Sequence, residues 1–323
     1  MKDIDNIFDE KKLEKSIRKA KLKSTIKITI IAIIIFIVGT FLNTFIGIKY
    51  SQKVYEATEN NVELSIPNGY ISESNDVIGF LGGTGTYKIA KNICGKTVVL
   101  EDHYSSFGLL PPVNYMRQRG GSFHYAEDWP VRLWNNGYKK LRFFHPELHY
   151  KEYQNDLAQI DEIPDGKIIE MAISFDKPYA VAEFFKIQSA LEPVSVTWLW
   201  LNEFTDEKFD EFKQQIEDLD GKSAGIYEQD IIGISSQHVD NLNSYTDNIF
   251  NQQFTELINK LSLSNNVYHK ELYAQISKRT NTIEENPEVI GVIVHGTKEE
   301  LKELIDCPII KATSFGVVTD PIY

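Results

Sequence analysis

The chain has little cysteine and no recognisable metal-binding motif. Its 323 residues include two cysteines and seven histidines. Neither Cys94 nor Cys307 lies in a CxxC pair or beside a Cys/His cluster, so the sequence predicts no zinc site. If both cysteines lie outside the cell they could form a disulfide. The alternative is that they are two separate buried thiols.

The remaining candidate motifs do not meet the spacing that their chemistry requires. His145 and His149 stand in HPELH, whereas the zinc-protease motif needs Glu directly after the first His of HExxH. Pro146 also disfavours a helical conformation at His145. The string GFLGGTG at residues 79–85 lacks the Lys-Ser/Thr of a P-loop and the pattern of a dinucleotide site. It predicts a β turn between short strands.

Catalytic signatures are also missing. The sequence contains no GxSxG, SxxK or papain-like cysteine context. Trp198 and Trp200 alternate with other residues of VSVTWLWL, so they point to one face of a strand and suit packing against a helix. We therefore predict no enzyme activity, no catalytic residue, no cofactor and no metal.

Positive charge is scarce outside the N-terminus. Residues 1–27 hold nine Lys/Arg and five Asp/Glu, whereas residues 49–323 hold 25 Lys/Arg and 41 Asp/Glu. Nucleic-acid binding needs a basic surface. We therefore expect no direct nucleic-acid binding by the acidic body. The composition of the chain is that of a folded globular protein.

One long uncharged run is present, at residues 28–48. As a helix this run spans the ~30 Å hydrocarbon core of a bilayer, and it is too long for a secretory signal. Lys and Arg crowd its N-terminal flank, so the N-terminus is predicted to be cytoplasmic and the body extracellular. Gly39, Asn43 and Gly47 recur every four residues and predict contact with a second membrane helix or a self-dimer. The alternative is that small and polar residues are merely tolerated there.

The basic tail at residues 1–27 also has helical spacing, with Leu13, Ile17, Ala20 and Ser24 on one side. One interpretation is a basic amphipathic helix lying on anionic headgroups. The other is a docking helix in the groove of a cytoplasmic partner. On the second interpretation the candidate partner-binding residues are Phe8, Leu13, Ile17 and Arg18.

The remainder predicts an exported α+β body. We expect a linker with a turn at 49–75, a β-rich front part at 76–135 and an α+β domain at 136–323. Two β-α-β segments, at 167–201 and 289–318, predict a ferredoxin-like α/β plait with helices on one face of a mixed sheet. Thr297 and Glu300 form a predicted capping box before the last helix. Two further helices are predicted at 206–219 and 246–261.

Several stretches carry a family resemblance. Residues 8–39, FDEKKLEKSIRKAKLKSTIKITIIAIIIFIVG, resemble the N-terminal region of bacterial sigma factor regulators, the membrane anti-sigma proteins of low-GC Gram-positive bacteria. Residues 138–185 resemble the start of the sigma factor regulator C-terminal domain, above all EMAISFDKPY. The strand VTWLWLNEF follows, and VIGVIVHGTKEELKEL with IIKATSFGVV resembles the close of that domain.

The resemblance implies a negative regulator that holds an extracytoplasmic-function sigma factor at the membrane and releases it on an envelope signal. Only 27 residues precede the apolar run, and none is Cys or His. We therefore expect the tail to bind the sigma factor weakly, through a partner protein, or not at all. Two other classes stay open, namely an exported envelope binding module (immunity, adhesion or wall-associated) and an exported enzyme.

Overall fold

The computed structural model describes residues 10–109, 134–135, 138–221, 225–236, 247–280 and 287–322. Phe8 of the predicted partner-binding set lies outside these ranges, as does most of the second half of the predicted β-rich front part. The chain divides into two compact units. The first unit comprises Met1–Val54, Asp76–Gly85 and Ser105–Met116, and the second comprises Tyr55–Asn75, Thr86–Tyr104 and Arg117–Tyr323.

A single helix, α1, runs from Glu10 to Ser65. It contains the whole uncharged run at 28–48. Among the described residues it is the one helix that is long and apolar enough to cross a membrane. Within the stretch predicted as a linker with a turn at 49–75, α1 continues to Ser65 and a strand begins at Gly69. Val62 and Leu64 are buried, so packing stabilises a helical segment whose sequence is mostly polar.

A three-stranded sheet follows α1, in the order β1 (Gly69–Ile78), β2 (Gly82–Ile93) and β3 (Lys96–Gly108). The predicted turn in GFLGGTG is confirmed at residues 79–81. Cys94 and Gly95 join β2 to β3 with φ angles of +50° and +85°. Positive φ at both central residues is the requirement of a type I′ hairpin turn, and it explains the glycine there.

The second unit is built on a seven-stranded sheet. Its strand order is β10-β8-β11-β7-β12-β5-β4, and the sheet curls as a half-barrel. The strands are β4 (Trp134–Asn135), β5 (Tyr138–Lys139), β7 (Ile168–Ala180), β8 (Ser195–Leu201), β10 (Gly233–Ser235), β11 (Glu288–Thr297) and β12 (Ile310–Thr319). A separate pair joins β6 (Arg142–Phe143) to β9 (Ile226–Tyr227).

The neighbouring strands whose registers the structure defines are antiparallel, which corrects the expectation of a mixed sheet. The two predicted β-α-β segments interleave. Strand β11 of the second segment lies between β7 and β8 of the first, and β7 lies between β11 and β12. The ferredoxin-like plait itself stays a prediction.

Helices cover both faces of this sheet, not one face as predicted. The helices are α2 (Val181–Ile187), α3 (Asp206–Asp218), α4 (Asp247–Leu263), α5 (Val267–Thr280) and α6 (Lys298–Lys302). Phe184, Leu257 and Leu301 of α2, α4 and α6 share a core with one face. Phe212 of α3 packs in the other core with Trp198 and Trp200. The prediction that these tryptophans share a face in the core is confirmed.

The local signals near the C-terminal end are also confirmed. Thr297 accepts the backbone N–H of Glu300, and the Glu300 carboxylate accepts the backbone N–H of Thr297, as in a capping box. The α6 helix is shorter than predicted, since it ends at Lys302 before Pro308. The predicted helices at 206–219 and 246–261 correspond to α3 and α4. Helix α5 was not predicted.

Candidate functional site

The candidate partner-binding residues lie on the first turns of α1. Leu13 and Ile17 are 51% and 47% exposed and lie on one helix face. The Arg18 guanidinium donates to the Glu14 carboxylate at 2.8 Å, and both side chains are exposed. A pair of this kind contributes only about 0.3–0.5 kcal/mol. The apolar pair is therefore the main binding element that this segment offers.

A second apolar pair provides an internal comparison on the same helix. Leu22 and Ile26 repeat the Leu-x-x-x-Ile spacing of Leu13 and Ile17 and are exposed to a similar extent. Successive helical residues are rotated by about 100°, so the second pair lies about 180° from the first. The two pairs have the same chemistry on opposite faces of one helix.

The three residues of the predicted membrane-helix contact have different surroundings. The Asn43 side-chain amide donates to the Gly79 carbonyl at 2.8 Å, and its oxygen accepts the Leu81 backbone N–H at 2.6 Å. A Cβ at Gly47 would lie 2.5 Å from the side chain of Ile78. Asn43 and Gly47 thus contact the β1–β2 turn of their own chain. A Cβ at Gly39 would meet nothing within 4 Å.

The most buried charges form a cluster in the second unit that the sequence analysis missed. Lys91 of β2 donates to Glu170 of β7 at 3.1 Å and to Glu228 at 2.8 Å. Glu170 also accepts the Val317 backbone N–H at 3.1 Å. The side chains of Lys91, Glu170 and Glu228 are all buried. The two glutamates are 79 and 137 positions from Lys91 in the sequence. The signal that the sequence offers is that Lys91 occupies an alternate position of β2 where the neighbouring alternate residues, Ile89 and Ile93, are apolar.

Burial and pairing compete within this cluster. Burial opposes the charge on Lys91, but Glu170 and Glu228 together outweigh it and raise the pKa of the ammonium group. Burial raises the pKa of Glu228, and Lys91 opposes that increase. His295 stands opposite Glu170 on the neighbouring strand. Burial lowers the pKa of His295 to about 4, with Glu170 opposing this shift and Lys91 adding to it. These ion pairs link β2, β7 and the short 3-10 helix Glu228–Asp230.

A second buried ion pair joins Lys139 to Asp156. Gln154 donates to the same carboxylate at 2.7 Å, and the Phe315 backbone N–H donates to it at 2.9 Å. These partners satisfy a carboxylate that would be costly to bury alone. The arrangement anchors the segment after β5 to β12 and offers no group for chemistry.

His145, Cys94 and Cys307 have separate surroundings. Both ring nitrogens of buried His145 have partners, since Nδ1 accepts the Glu147 backbone N–H at 3.2 Å and Nε2 lies 2.9 Å from the Asn202 oxygen. Burial lowers the pKa of His145, and the hydrogen bond with Asn202 opposes this. Among the described residues no group of three metal-ligating side chains comes together. Cys94 and Cys307 are separate free thiols, as one alternative predicted, but neither is buried, since Cys94 is exposed and Cys307 is partly exposed.

Comparison with known protein families matches both ends of this architecture. The family model for the sigma factor regulator N-terminal domain matches residues 14–98, which cover most of α1, all of β1 and β2, and the start of β3. The model for the sigma factor regulator C-terminal domain matches residues 160–317, which include β7, β8, β11 and most of β12. No curated protein and no solved structure gives a significant match. On these two matches, the chain belongs to the sigma factor regulator family.

Proposed function

We propose that this sigma factor regulator is a membrane-anchored anti-sigma protein that sequesters an extracytoplasmic-function sigma factor and releases it on an envelope signal. Its family membership supports an anti-sigma regulatory role. The apolar helix near the N-terminus and the membrane-associated family indicate a single-pass membrane protein. The type of sigma factor and the origin of the signal are parts of the proposal.

The proposed orientation places the N-terminus in the cytoplasm and the body outside the cell. It is supported by the nine Lys/Arg of residues 1–27 and by the acidic composition after residue 48. A cytoplasmic tail has access to a sigma factor, whereas an exported body has access to the envelope. A ligand of the body shifts the release equilibrium only through its differential affinity for the two states.

The observation that carries the proposal is the exposed pair Leu13 and Ile17 on the first turns of α1. A short helix binds a partner by laying one apolar face in a groove. Burying a large aliphatic side chain contributes about 1.5–3 kcal/mol when it is fully removed from water. Because both residues are about half exposed, their joint contribution to sigma binding is about 1.5–3 kcal/mol, or roughly 12-fold to 150-fold in affinity.

The test uses affinity purification of the full-length protein from membranes of its native host. The variant Leu13→Ser/Ile17→Ser removes the candidate face, and the matched control Leu22→Ser/Ile26→Ser removes the same residue types from the opposite face. We expect a sigma factor to copurify with the wild type and the control but not with the first variant. Transcription of one regulon should rise only in cells that carry the first variant.

Two results would contradict direct binding by this face. Equal recovery of the sigma factor with both variants would place its binding elsewhere. Loss of the sigma factor with both would favour general attachment of a basic helix to headgroups over a specific groove. Recovery of a second membrane protein with every variant, and of no sigma factor, would mean that the anti-sigma activity lies in that partner or that the chain is a binding module.

A second candidate function is an exported envelope binding module that uses its N-terminus only as an anchor. It is favoured because the hydrophobic core clusters of the described residues consist of residues between 64 and 317, all of them C-terminal to the apolar run. This function predicts that another basic tail can replace residues 1–27 without loss of activity. Loss of activity after that exchange would count against it.

Two finer features are part of the same proposal. The ferredoxin-like character of the body is supported by the interleaved order β8-β11-β7-β12. Contact with a second membrane helix, from a partner or from another copy of the chain, is supported by the open surroundings of Gly39. Crosslinking at residue 39 in native membranes tests the second feature, since a contact there should yield a dimer or a heterodimer.

A further inference from the structure

The turn between β1 and β2 carries an apolar surface that has no charged residue. We call the residues at positions 77–81 the hairpin tip. Phe80 is 82% exposed and Val77 is 61% exposed, and nearby Leu109 at the end of β3 is 53% exposed. These residues belong to the first unit together with the apolar part of α1. Large exposed apolar side chains that cluster mark an interaction surface.

The depth of the hairpin tip along α1 is fixed by Asn43. Its side chain bonds to both Gly79 and Leu81, with distances of 2.8 Å and 2.6 Å. Asn43 lies five residues before Ile48, the last residue of the uncharged run. At ~1.5 Å per residue, the tip is held about 7–8 Å inside the end of that run.

A second contact marks where polar surroundings begin. The Ser51 hydroxyl donates to Asp76, the first charged residue that precedes the hairpin tip in β1. Ser51 and Asn43 are eight residues apart, or about 12 Å along the helix. The same distance corresponds to about four strand residues, from Asp76 to Phe80. Charge therefore lies beside the polar part of α1, and the apolar tip lies beside its apolar part.

Four polar backbone groups of the turn, the N–H and C=O of Gly79 and of Leu81, have protein partners. Asn43 supplies two of these hydrogen bonds. The Gly79 N–H donates to the Gly82 carbonyl at 2.7 Å, and the Leu81 carbonyl accepts the Leu109 N–H at 2.9 Å. A backbone group without a partner costs several kcal/mol in lipid. Pairing of these four groups lowers the cost of placing the turn at the interface between headgroups and acyl chains.

We propose that the hairpin tip inserts into this lipid interface beside α1, so that the protein contacts the bilayer with a β hairpin as well as with its helix. Amphipathic elements at membrane surfaces bury their apolar residues by about 5–10 Å, which matches the depth of Asn43. The absence of charge from residues 77–87 means that insertion depends on apolar contact and not on anionic headgroups. This proposal is independent of sigma factor binding and of the direction in which the helix crosses the membrane.

The test places one fluorescent label at a time on full-length protein in phosphatidylcholine nanodiscs, after Cys94→Ser and Cys307→Ser. The label is attached at Phe80→Cys in the tip or at Asn75→Cys, an exposed position beside Asp76 in the same strand. A third site, Phe36→Cys in the middle of the apolar run, reports that the helix is inserted. Quenching is measured with iodide in water and with spin-labelled lipid in the bilayer.

We expect spin-labelled lipid to quench the labels at positions 36 and 80, and iodide to quench the label at position 75. Adding Asn43→Leu should increase iodide quenching at position 80, because the tip loses both side-chain hydrogen bonds to α1. If iodide quenches positions 80 and 75 equally while lipid quenches position 36, the tip is in water and the proposal is wrong. Protection of position 80 from both quenchers would also overturn it, because protein would then cover the tip.

Discussion

Replacing Lys91 by Met tests whether the buried charge cluster stabilises the body. The substitution keeps the length of the side chain but removes the only cation that contacts Glu170 and Glu228 in the described structure. Because the two carboxylates are buried, water cannot replace the ammonium group. Removing one partner of a buried pair typically costs about 3–5 kcal/mol.

The cost in this variant can be derived from the number of protons involved. Lysine and two carboxylates carry a net charge of −1, and the variant regains that charge by binding one proton. Protonating a carboxyl group with an unfolded pKa near 4.3 costs about 4 kcal/mol at pH 7.5 and about 1.6 kcal/mol at pH 5.5. We therefore expect Lys91→Met to lose about 4 kcal/mol of stability at pH 7.5, and about 2–3 kcal/mol less than that at pH 5.5.

The sign of this pH dependence follows from the direction of the pKa change. Glu228 already has a raised pKa in the folded protein, and loss of Lys91 raises it further. An acid with a raised folded pKa favours the folded state when it is protonated, so its contribution is lost as pH rises through that pKa. The difference in stability between the variant and the wild type must therefore shrink as pH falls.

The assay is guanidinium unfolding of the full-length protein in detergent micelles, followed by the fluorescence of the buried tryptophans. Lys88→Met is the matched control, since Lys88 lies on the same strand and pairs with Glu73 at the surface. That variant should lose much less stability than Lys91→Met, because its ion pair is exposed to water. In Lys91→Met/Glu228→Gln most of the stability should return. A loss below about 1 kcal/mol for Lys91→Met, or a loss that is equal at both pH values, would refute the reasoning.

Three further predictions concern the second unit. His295 has a pKa lowered to about 4, so its contribution to folding stability is complete above pH 6.5 and is lost as pH falls. The variant His295→Asn should therefore lose about 2 kcal/mol less folding stability than the wild type between pH 7.5 and pH 5, measured in the same unfolding assay. Thr297→Ala removes the cap of α6 and should cost about 1 kcal/mol, whereas Thr297→Ser should be near neutral by thermal unfolding. Gly291→Ala places a Cβ 2.5 Å from the Ile173 carbonyl oxygen and 2.8 Å from the Trp200 ring. Calorimetry should therefore show a destabilisation of about 1–3 kcal/mol. An unchanged melting temperature would contradict the packing described.

Features with a local cause could be predicted from the sequence. The capping box at Thr297 and the turn in GFLGGTG each depend on a few neighbouring residues, and the structure contains both. The alternation of Trp198 and Trp200 gave their shared face for the same reason. The long uncharged run likewise predicted a helix that is long and apolar enough to cross a membrane, and α1 contains it.

Features that depend on distant partners could not be predicted. The polar segment at 49–65 is helical because Val62 and Leu64 become buried, and its own sequence gives only weak helix signals. The spacing of Gly39, Asn43 and Gly47 predicted contact with a second membrane helix or a self-dimer, and this stays a prediction. The pattern could not tell a second helix from the hairpin that Asn43 and Gly47 contact, because both satisfy the same small-residue and amide chemistry.

The buried cluster also has a consequence for the order in which the body is completed during synthesis. Lys91 is made 79 residues before Glu170 and 137 residues before Glu228. The Val317 N–H that also binds Glu170 comes later still, from β12. Contacts at such sequence separations are slow to form, and the segments made first lack their partners until the later segments have been synthesised. A ribosome-bound chain that has been synthesised only as far as β11 therefore lacks the Val317 hydrogen bond to Glu170. Until β12 has emerged, the body is incompletely folded and is a substrate for quality-control proteases.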